Sequence, residues 1–136
     1  MKILITGISG SGKSYLATQL IDHIDCDYFN ADTIREQYND WDFTPEGRLR
    51  QCNRMILLCN QSSKQHQIAD FIAPTTEIRT LFNPDFIIWM NTTKSSKFKD
   101  TDKLYQPPNN FDIEICNFNY NLPDIIKWIN YKNKQL

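Results

Sequence analysis

The octapeptide GISGSGKS, Gly7–Ser14, constrains this chain more than any other feature of its sequence. It matches the phosphate-binding pattern of a glycine, four residues, and then Gly-Lys-Ser or Gly-Lys-Thr. An apolar run typical of a buried strand precedes it at Lys2–Thr6, and the apolar residues after Lys13 recur on one helical face. Strand, glycine loop and helix is the local order that phosphate binding requires, so the sequence predicts a phosphate loop at Gly7–Ser14. The alternative is a chance glycine turn before a helix.

The residue types of the phosphate loop indicate what it binds. Its glycines let backbone N–H groups turn toward a phosphate, and the following helix N-terminus adds partial positive charge. We expect Lys13 to contact the β- and γ-phosphates of ATP and the Ser14 hydroxyl to bind Mg²⁺. The predicted cofactor-binding residues of this region are Gly7, Ser9, Gly10, Ser11, Gly12, Lys13, Ser14 and Tyr15.

Composition limits the classes of protein to consider. A chain of 136 residues suits one domain with one core, so we expect a single domain over 1–136. The formal net charge of −1 gives no general attraction for nucleic acid, so such a partner is not expected unless a local basic patch exists. Scattered cysteines, no secretory signal and no long apolar run favour a cytoplasmic protein without membrane association. His23 and His66 have no partner pattern and are expected at the surface, and a homodimer is compatible with the sequence.

Short apolar runs alternate with helical patterns along the chain. The predicted strands are Lys2–Thr6, Asp27–Asn30, Gln67–Ile72, Asp85–Met90 and Asp112–Cys116. The predicted helices are Lys13–Ile24, Thr33–Tyr38, Pro45–Gln61, Thr76–Phe82 and Leu122–Tyr131. This alternation predicts a three-layer α/β fold with a mostly parallel five-stranded sheet, whose ligands bind beyond the carboxyl ends of the strands. The long polar stretch 92–110 is predicted to be a lid or binding loop.

Polar residues after the second predicted strand and within the third are expected to surround the phosphate loop. Asp32 could orient an acceptor hydroxyl, take its proton late, or hold a metal-bound water. It could also be a helix N-cap, a role compatible with the functional ones. Arg35 could bind phosphate or sulfate bidentately, or it could be a solvated helix charge. Asp70 could be a second-sphere metal carboxylate or an ordinary polar residue of a strand.

A second polar cluster accompanies the long predicted helix. Arg48, Gln51 and Arg54 are spaced three residues apart and could project from one side of that helix. Phe43 precedes them, and an aromatic ring beside arginines could stack on a base while the arginines bind its phosphate. The alternative is a solvated helix face with an aromatic anchor for the loop.

The chain resembles adenylylsulfate kinases from Met1 to about Arg79, because the segments described above occur in the same order in that family. The segments that carry the resemblance are GISGSGKS, Asp32 with Ile34-Arg35, Phe43, Arg48, Arg54, and Phe71-Ile72-Ala73-Pro74 with Arg79. The resemblance implies a P-loop NTPase or nucleotide-kinase fold. It also implies an ATP-dependent kinase that transfers phosphate to an alcohol group, the ribose 3′-hydroxyl of adenosine 5′-phosphosulfate (APS).

The same resemblance implies roles for individual residues. Lys13 and Asp32 would be catalytic, with Asp32 facing the acceptor hydroxyl. Arg35 and Arg54 would bind the phosphosulfate, and Phe43 would stack on the adenine. Lys103 resembles part of the family's lid and joins the cofactor-binding set. The full predicted acceptor set is Asp32, Arg35, Phe43, Arg48, Gln51, Arg54, Ala73, Pro74 and Arg79.

The chain departs from the family pattern on the acceptor side. Thr75-Thr76 stand where the family has a Tyr-Arg pair, and Asn53 stands where it has an arginine. The segment that closes the family's acceptor pocket is expected to be lacking. The sequence therefore predicts a kinase whose acceptor is a small nucleotide-like molecule, with APS first. The alternative acceptors are another nucleotide, a polynucleotide 5′-end and a small alcohol. The alternative class of protein is a nucleotide-binding protein without catalytic activity.

Overall fold

A computed structural model describes residues 1–136 and contains one parallel sheet. Its strands are β1 (Lys2–Thr6), β2 (Cys26–Asn30), β3 (His66–Asp70), β4 (Phe86–Met90) and β5 (Ile113–Ile115), in the order β2-β3-β1-β4-β5. The helices are α1 (Lys13–Leu20), α2 (Ala31–Tyr38), α3 (Pro45–Gln61), α4 (Thr76–Phe82), α5 (Lys99–Leu104) and α6 (Leu122–Gln135). The predicted α/β fold with a five-stranded parallel sheet is confirmed.

Two apolar cores cover the two faces of the sheet. Successive side chains of a strand point to opposite faces, so Ile3 and Ile5 of β1 join one core while Leu4 joins the other. The first core includes Leu16 and Leu20 of α1 with Ile125 and Ile129 of α6. The second includes Cys52 and Met55 of α3 with Ile78 and Phe82 of α4. Since β1 is central and buried on both faces, its carboxyl end delivers the phosphate loop to the middle of the sheet edge.

The three largest differences between the structure and the predicted elements are in helices. Helix α1 ends at Leu20 because the chain turns there, and the His23 N–H donates to Leu20 O at 2.9 Å. Helix α6 continues beyond Tyr131 to Gln135. Helix α5 lies inside the stretch predicted as a lid or loop, and none of its residues is buried. No helix of the chain is both long enough and apolar enough to cross a bilayer.

His66 is buried, which corrects the expectation of a surface position. It begins β3, pairs with Cys26 of β2, and is only 1% exposed. Its Nδ1 atom has no hydrogen-bond partner. Burial, aided by the N-terminal amine, lowers the pKa of His66 below its usual value, although Asp25 opposes the shift. His23 is exposed, as expected.

Candidate active site

One cavity of about 1080 Å³ opens at the carboxyl ends of β1, β2 and β3. This is the edge where open parallel sheets bind ligands. The predicted site residues that line it are Ser9, Gly10, Gly12, Lys13, Ser14, Tyr15, Asp32, Arg35, Phe43, Arg48, Gln51, Ala73 and Pro74. Five predicted residues do not line it: Gly7, Ser11, Arg54, Arg79 and Lys103. The structure thus brings most of the phosphate loop and most of the acceptor set to one cavity.

The phosphate loop depends on glycine where its backbone is left-handed. Gly12 is the N-cap of α1 with φ 96°, and Gly10 has φ 79°, values that residues with a β-carbon rarely adopt. A β-carbon at Gly12 would also lie 2.4 Å from the ring of Phe118. The Ser11 N–H donates to Ile8 O at 3.2 Å and closes the turn. The result is a tight loop that ends directly at the N-terminus of a helix, an arrangement suited to an anion.

Lys13 lies back across the phosphate loop. It is the first residue of α1, and its Nζ atom donates to Ile8 O at 3.1 Å. Burial lowers the pKa of Lys13, while the charges of Asp70 and Asp32 oppose that shift. The ammonium group therefore lies against the loop, where it can meet an incoming phosphate.

Ser14 is joined to a buried carboxylate at the end of β3. The Ser14 hydroxyl donates to Asp70 Oδ2 at 2.8 Å. The same oxygen accepts hydrogen bonds from Tyr28 Oη at 2.6 Å and from Asn30 Nδ2 at 3.0 Å. Burial, with the hydrogen bond to Asp70, raises the pKa of Tyr28 to about 12, so the phenol stays a donor. Asp70 is 2% exposed, and its orientation is set by three donors.

The oxygens of Ser14 and Asp70 fit a magnesium ion. Mg²⁺ prefers hard oxygen ligands and retains waters and substrate phosphates in its coordination shell, so it needs few protein ligands. No group of three or more His, Cys, Asp or Glu residues could hold a metal by itself. Asp70 is outside the predicted site, because in the sequence it resembles an ordinary polar residue of a strand. The pairing of β1 with β3, in which Ile5 lies opposite Asp70, is what brings it to Ser14.

Asn30, and not Asp32, caps α2. The Asn30 Oδ1 atom accepts a hydrogen bond from the Thr33 N–H at 3.0 Å. Asp32 is in the first helical turn and lines the cavity with an exposed side chain. Its charge acts on the pKa of both Lys13 and Arg35. The Asp32 carboxylate is therefore available to the cavity rather than used in the cap.

Phe43 lies beside two guanidinium groups on the other wall of the cavity. Its ring centroid is 4.4 Å from Arg35 Cζ and 5.4 Å from Arg48 Cζ. Arg35 Nη1 donates to the carbonyl oxygens of Asp40 and Asp42, and Arg48 Nε donates to Phe43 O at 3.0 Å. These bonds fix both guanidiniums and leave further N–H groups for a ligand. The half-exposed ring with two cations suits a planar, anionic molecule.

Arg54 is held away from the cavity. Its Nη2 atom lies 2.6 Å from Asp40 Oδ2, and its Nη1 atom donates to Gln51 Oε1 at 3.2 Å. Its guanidinium also lies over the ring of Tyr38 at 4.4 Å. Hydrogen bonds from Arg50 and then Arg54 hold the pKa of Asp40 well below its usual range. The arginine that the family resemblance assigns to the phosphosulfate is engaged here by a carboxylate.

Arg79 is buried and stabilises the turn after β3 through hydrogen bonds to backbone carbonyls. It is 6% exposed, and its two Nη atoms donate to Ala73 O and Gln106 O, each at 2.6 Å. Ala73 has the left-handed φ of 46°, a conformation that costs an alanine about 1 kcal/mol. Arg79 thus supports the turn after β3, which lines the cavity through Ala73 and Pro74.

Residues outside the predicted set also line the cavity, among them residues 97–101 around α5 and Trp41. Lys103 is exposed on α5 and does not line the cavity, whereas residues 97–101 do. Arg48 Nη2 donates to Thr101 Oγ1 at 3.1 Å and links α5 to α3. Trp41 and Phe98 add two half-exposed rings to the cavity. Trp41 lies two residues before Phe43 in the sequence. This proximity is the one sequence feature that indicates a place for Trp41 in the cavity.

Known proteins resemble this chain in sequence and in fold. The family model described as adenylylsulphate kinase matches residues 1–86. The APS kinase of Mycobacterium tuberculosis, solved with AMPPNP and APS, is 19% identical, with a TM-score of 0.72 over 95% of this chain and 96% of that chain. A gluconokinase from Sinorhizobium meliloti 1021 is 14% identical, with a TM-score of 0.64 over 98% and 91%. Shikimate kinase from Aquifex aeolicus vf5 is 12% identical, with a TM-score of 0.55 over 99% and 97%. No curated protein matches the chain.

The structural neighbours, at these identities, establish the fold, which is that of the P-loop kinases. The family model covers more than half of the chain and includes the phosphate loop, Asp32 and the Phe43 wall. The family match confirms the resemblance seen in the sequence and the class of enzyme, an ATP-dependent kinase. The chain belongs to the adenylylsulphate kinase family.

Proposed function

We propose that this chain transfers the γ-phosphoryl group of ATP to a hydroxyl group of an anionic, nucleotide-like acceptor, with the 3′-hydroxyl of APS as the first candidate. One observation carries the proposal. Asp32, Arg35 and Phe43 line the same cavity of about 1080 Å³ as the phosphate loop. A volume of this size accommodates a donor phosphate chain and an acceptor together.

The donor side of the cavity binds the phosphates of ATP. Backbone N–H groups of the phosphate loop and the Lys13 ammonium hold the β- and γ-phosphates. Ser14 and Asp70 would hold Mg²⁺, which when bound neutralises charge on the phosphate oxygens. Phosphoryl transfer needs little covalent help from the protein, so positioning and fixed charge supply most of the rate.

Asp32 acts on the acceptor. Its exposed carboxylate accepts a hydrogen bond from the acceptor hydroxyl, aims the oxygen at the γ-phosphorus, and takes the proton late in the transfer. Its place in the first turn of α2, with the side chain exposed in the cavity beside the phosphate loop, supports this role.

Arg35 and Arg48 bind the anionic part of the acceptor, and Phe43 packs on its base. Guanidinium groups recognise phosphate and sulfate oxygens through paired N–H donors. A half-exposed ring beside them gives a planar base an apolar surface. The match of the family model over this region supports APS as the acceptor.

A different acceptor is favoured by the residues after Pro74. Thr75 Oγ1 accepts from the Ile78 N–H at 3.2 Å as the cap of α4, and the Thr76 N–H donates to Gln106 Oε1 at 2.9 Å. Neither residue provides a cation where the family pattern has an arginine. A small alcohol carries no anionic oxygen and would need no cation here. Another nucleotide or a polynucleotide 5′-end carries phosphate oxygens that Arg35 and Arg48 would bind.

The experiment that tests the proposal is an acceptor screen with γ-labelled ATP. The acceptors are APS, nucleoside monophosphates, nucleosides, short oligonucleotides and small polyols, each run with wild type and with Lys13→Ala. We expect label on the 3′-hydroxyl of APS with wild type only. Transfer to another acceptor with none to APS would overturn the APS assignment. Binding of ATP without transfer to any acceptor would overturn the kinase mechanism.

A further inference from the structure

We propose that Asp40 and Arg54 are positioning residues for Asp32, that they act through Gln51, and that neither contacts the acceptor. The inference rests on the proposed function, since it concerns the carboxylate that acts on the acceptor hydroxyl. It assigns Arg54 a role different from the phosphosulfate contact that the family resemblance implies.

A continuous set of contacts runs from Asp40 to the start of α2. Asp40 Oδ2 accepts from Arg54 Nη2 at 2.6 Å, and Arg54 Nη1 donates to Gln51 Oε1 at 3.2 Å. Gln51 Nε2 then donates to Ala31 O at 2.9 Å. Ala31 is the first residue of α2 and directly precedes Asp32. The chain of contacts therefore ends one peptide unit from the carboxylate.

These contacts are largely shielded from water. Gln51 is 3% exposed, and the side chains of Arg54 and Asp40 are 16% and 12% exposed. Charge-assisted hydrogen bonds are short and strong, and they strengthen where water is excluded. By contrast, the side chain of Arg50, the other partner of Asp40, is 46% exposed. Arg50 nevertheless bonds both Asp40 oxygens, through Nε at 2.8 Å and Nη2 at 3.1 Å. Of the two arginines, Arg54 is the one that also bonds Gln51 and so links Asp40 to α2.

Arg54 fixes the oxygen end of the Gln51 amide. An amide presents two N–H donors at one end and an oxygen acceptor at the other. The NH₂ group bonds Ala31 O and the oxygen bonds the Arg54 guanidinium, so both ends of the amide are held. Without Arg54, the amide keeps its bond to Ala31 O but loses the anchor at its oxygen end. The first turn of α2 is then tied to a side chain that is itself free to move.

The same arginine also holds the far end of α2. Its guanidinium lies 4.4 Å from the ring centroid of Tyr38, the last residue of the helix. Helix α2 is therefore fixed to α3 at both ends, at Ala31 through Gln51 and at Tyr38 directly. A short helix held at both ends keeps Asp32 at one position relative to the phosphate loop, and small displacements of a reacting group are costly.

Arg54 is poorly suited to bind the acceptor itself. It does not line the cavity, both of its terminal nitrogens are engaged, and Asp40 would repel an incoming anion. Arg35 and Arg48, which do line the cavity, remain for the acceptor.

Arg54 either positions Asp32 or binds the acceptor, and the two roles predict different kinetics for Arg54→Met and Asp40→Asn. Both variants are assayed as the full chain with the acceptor found active, and kcat and the acceptor KM are measured. If both residues position Asp32, both variants lower kcat, by about tenfold or more for Arg54→Met, whereas the acceptor KM changes less than about threefold. Arg50→Met removes the exposed partner of Asp40 and is the matched control, with kcat and KM within about twofold of wild type. The double variant Asp40→Asn/Arg54→Met is expected to be no slower than Arg54→Met, because the two residues act in one series.

A rise in acceptor KM with Arg54→Met, together with an unchanged or lower KM with Asp40→Asn, would overturn the proposal, since it would mean that Arg54 binds the acceptor. Unchanged kcat per folded molecule in both variants would overturn it as well. Amide hydrogen exchange of residues 31–35 gives a readout that does not depend on transfer. Faster exchange in Arg54→Met than in Arg50→Met supports positioning, and equal exchange contradicts it. Absence of transfer by wild type would refute the proposed function alone.

Discussion

The Ser14 hydroxyl donates to the buried carboxylate of Asp70 at 2.8 Å, and this bond joins the start of α1 to the end of β3. The register of the sheet makes it possible, because Ile5 of β1 lies opposite Asp70. Tyr28 and Asn30, from β2, donate to the same oxygen. The place where Mg²⁺ would bind is thus defined by three adjacent strands and not by the phosphate loop alone.

Replacing Lys13 with alanine is expected to reduce ATP turnover by about a hundredfold or more. The ammonium is the one fixed cation of the phosphate loop, and the loss of one such group from a closed site typically costs that much. Steady-state turnover of the purified variant measures the effect. Lys127→Ala, an exposed change on α6, is the control. Equal turnover of wild type and Lys13→Ala would contradict the role of the loop.

Gly47→Ala is expected to destabilise the chain although alanine favours helices. The gain in helix propensity is about 1 kcal/mol. A β-carbon at Gly47 would, however, lie 2.2 Å from Asp42 O, a backbone atom that also accepts from Arg35. The clash outweighs the propensity, so urea denaturation should give a lower free energy of unfolding and the acceptor should bind more weakly. Asn53→Ala, an exposed change in the same helix, should leave stability equal or higher, and a stabilised Gly47→Ala would disprove this packing.

Stability is expected to fall as the pH drops below about 6.5, the usual pKa of histidine, because of His66. Its folded-state pKa is lowered by burial, so the unfolded chain binds the proton more readily and acid favours unfolding. The contribution is fully present above the unfolded pKa and is lost as the pH falls toward the folded pKa. Melting temperatures from pH 7.5 to 5.5 measure it. His66→Gln should flatten the dependence of the melting temperature on pH, whereas His23→Gln should not. An equal slope in wild type and both variants would show that His66 does not cause the dependence.

Residues 92–110, which include α5, are expected to become better ordered when nucleotide binds. Residues 97–101 line the cavity, yet α5 has no buried residue to hold it without a ligand. Hydrogen exchange with and without an ATP analogue measures the change, with α6 as the internal reference. Exchange that is equally slow in both states would argue against a lid.

The sequence predicted the fold because its signals are local. Thr44 before Pro45 is a cap followed by a helix-starting proline, and Thr75 caps the next helix, so both helices begin where predicted. Short apolar runs that alternate with helical patterns predicted the strands. Helix α5 was missed because a helix without buried residues shows no apolar periodicity.

The parts of the site that were not predicted depend on distant contacts. Arg54 meets Asp40 only because the loop after α2 returns to α3, and spacing along one helix could not reveal that. The cap at Asn30 depended on where α2 begins, a boundary that the sequence placed at Thr33. His66 was expected at the surface because a single polar residue carries no signal of the strand pairing that buries it.

Phosphoryl transfer by Asp32→Asn tests whether Asp32 acts on the acceptor hydroxyl beside the phosphate loop. Asn30 provides the cap of α2, so the variant should fold with a melting temperature close to that of wild type. We expect transfer to the acceptor to fall by about a hundredfold or more, while an ATP analogue binds as well as before and Glu36→Gln, one turn along α2, remains active. Transfer by folded Asp32→Asn at the wild-type rate would show that Asp32 does not act on the acceptor.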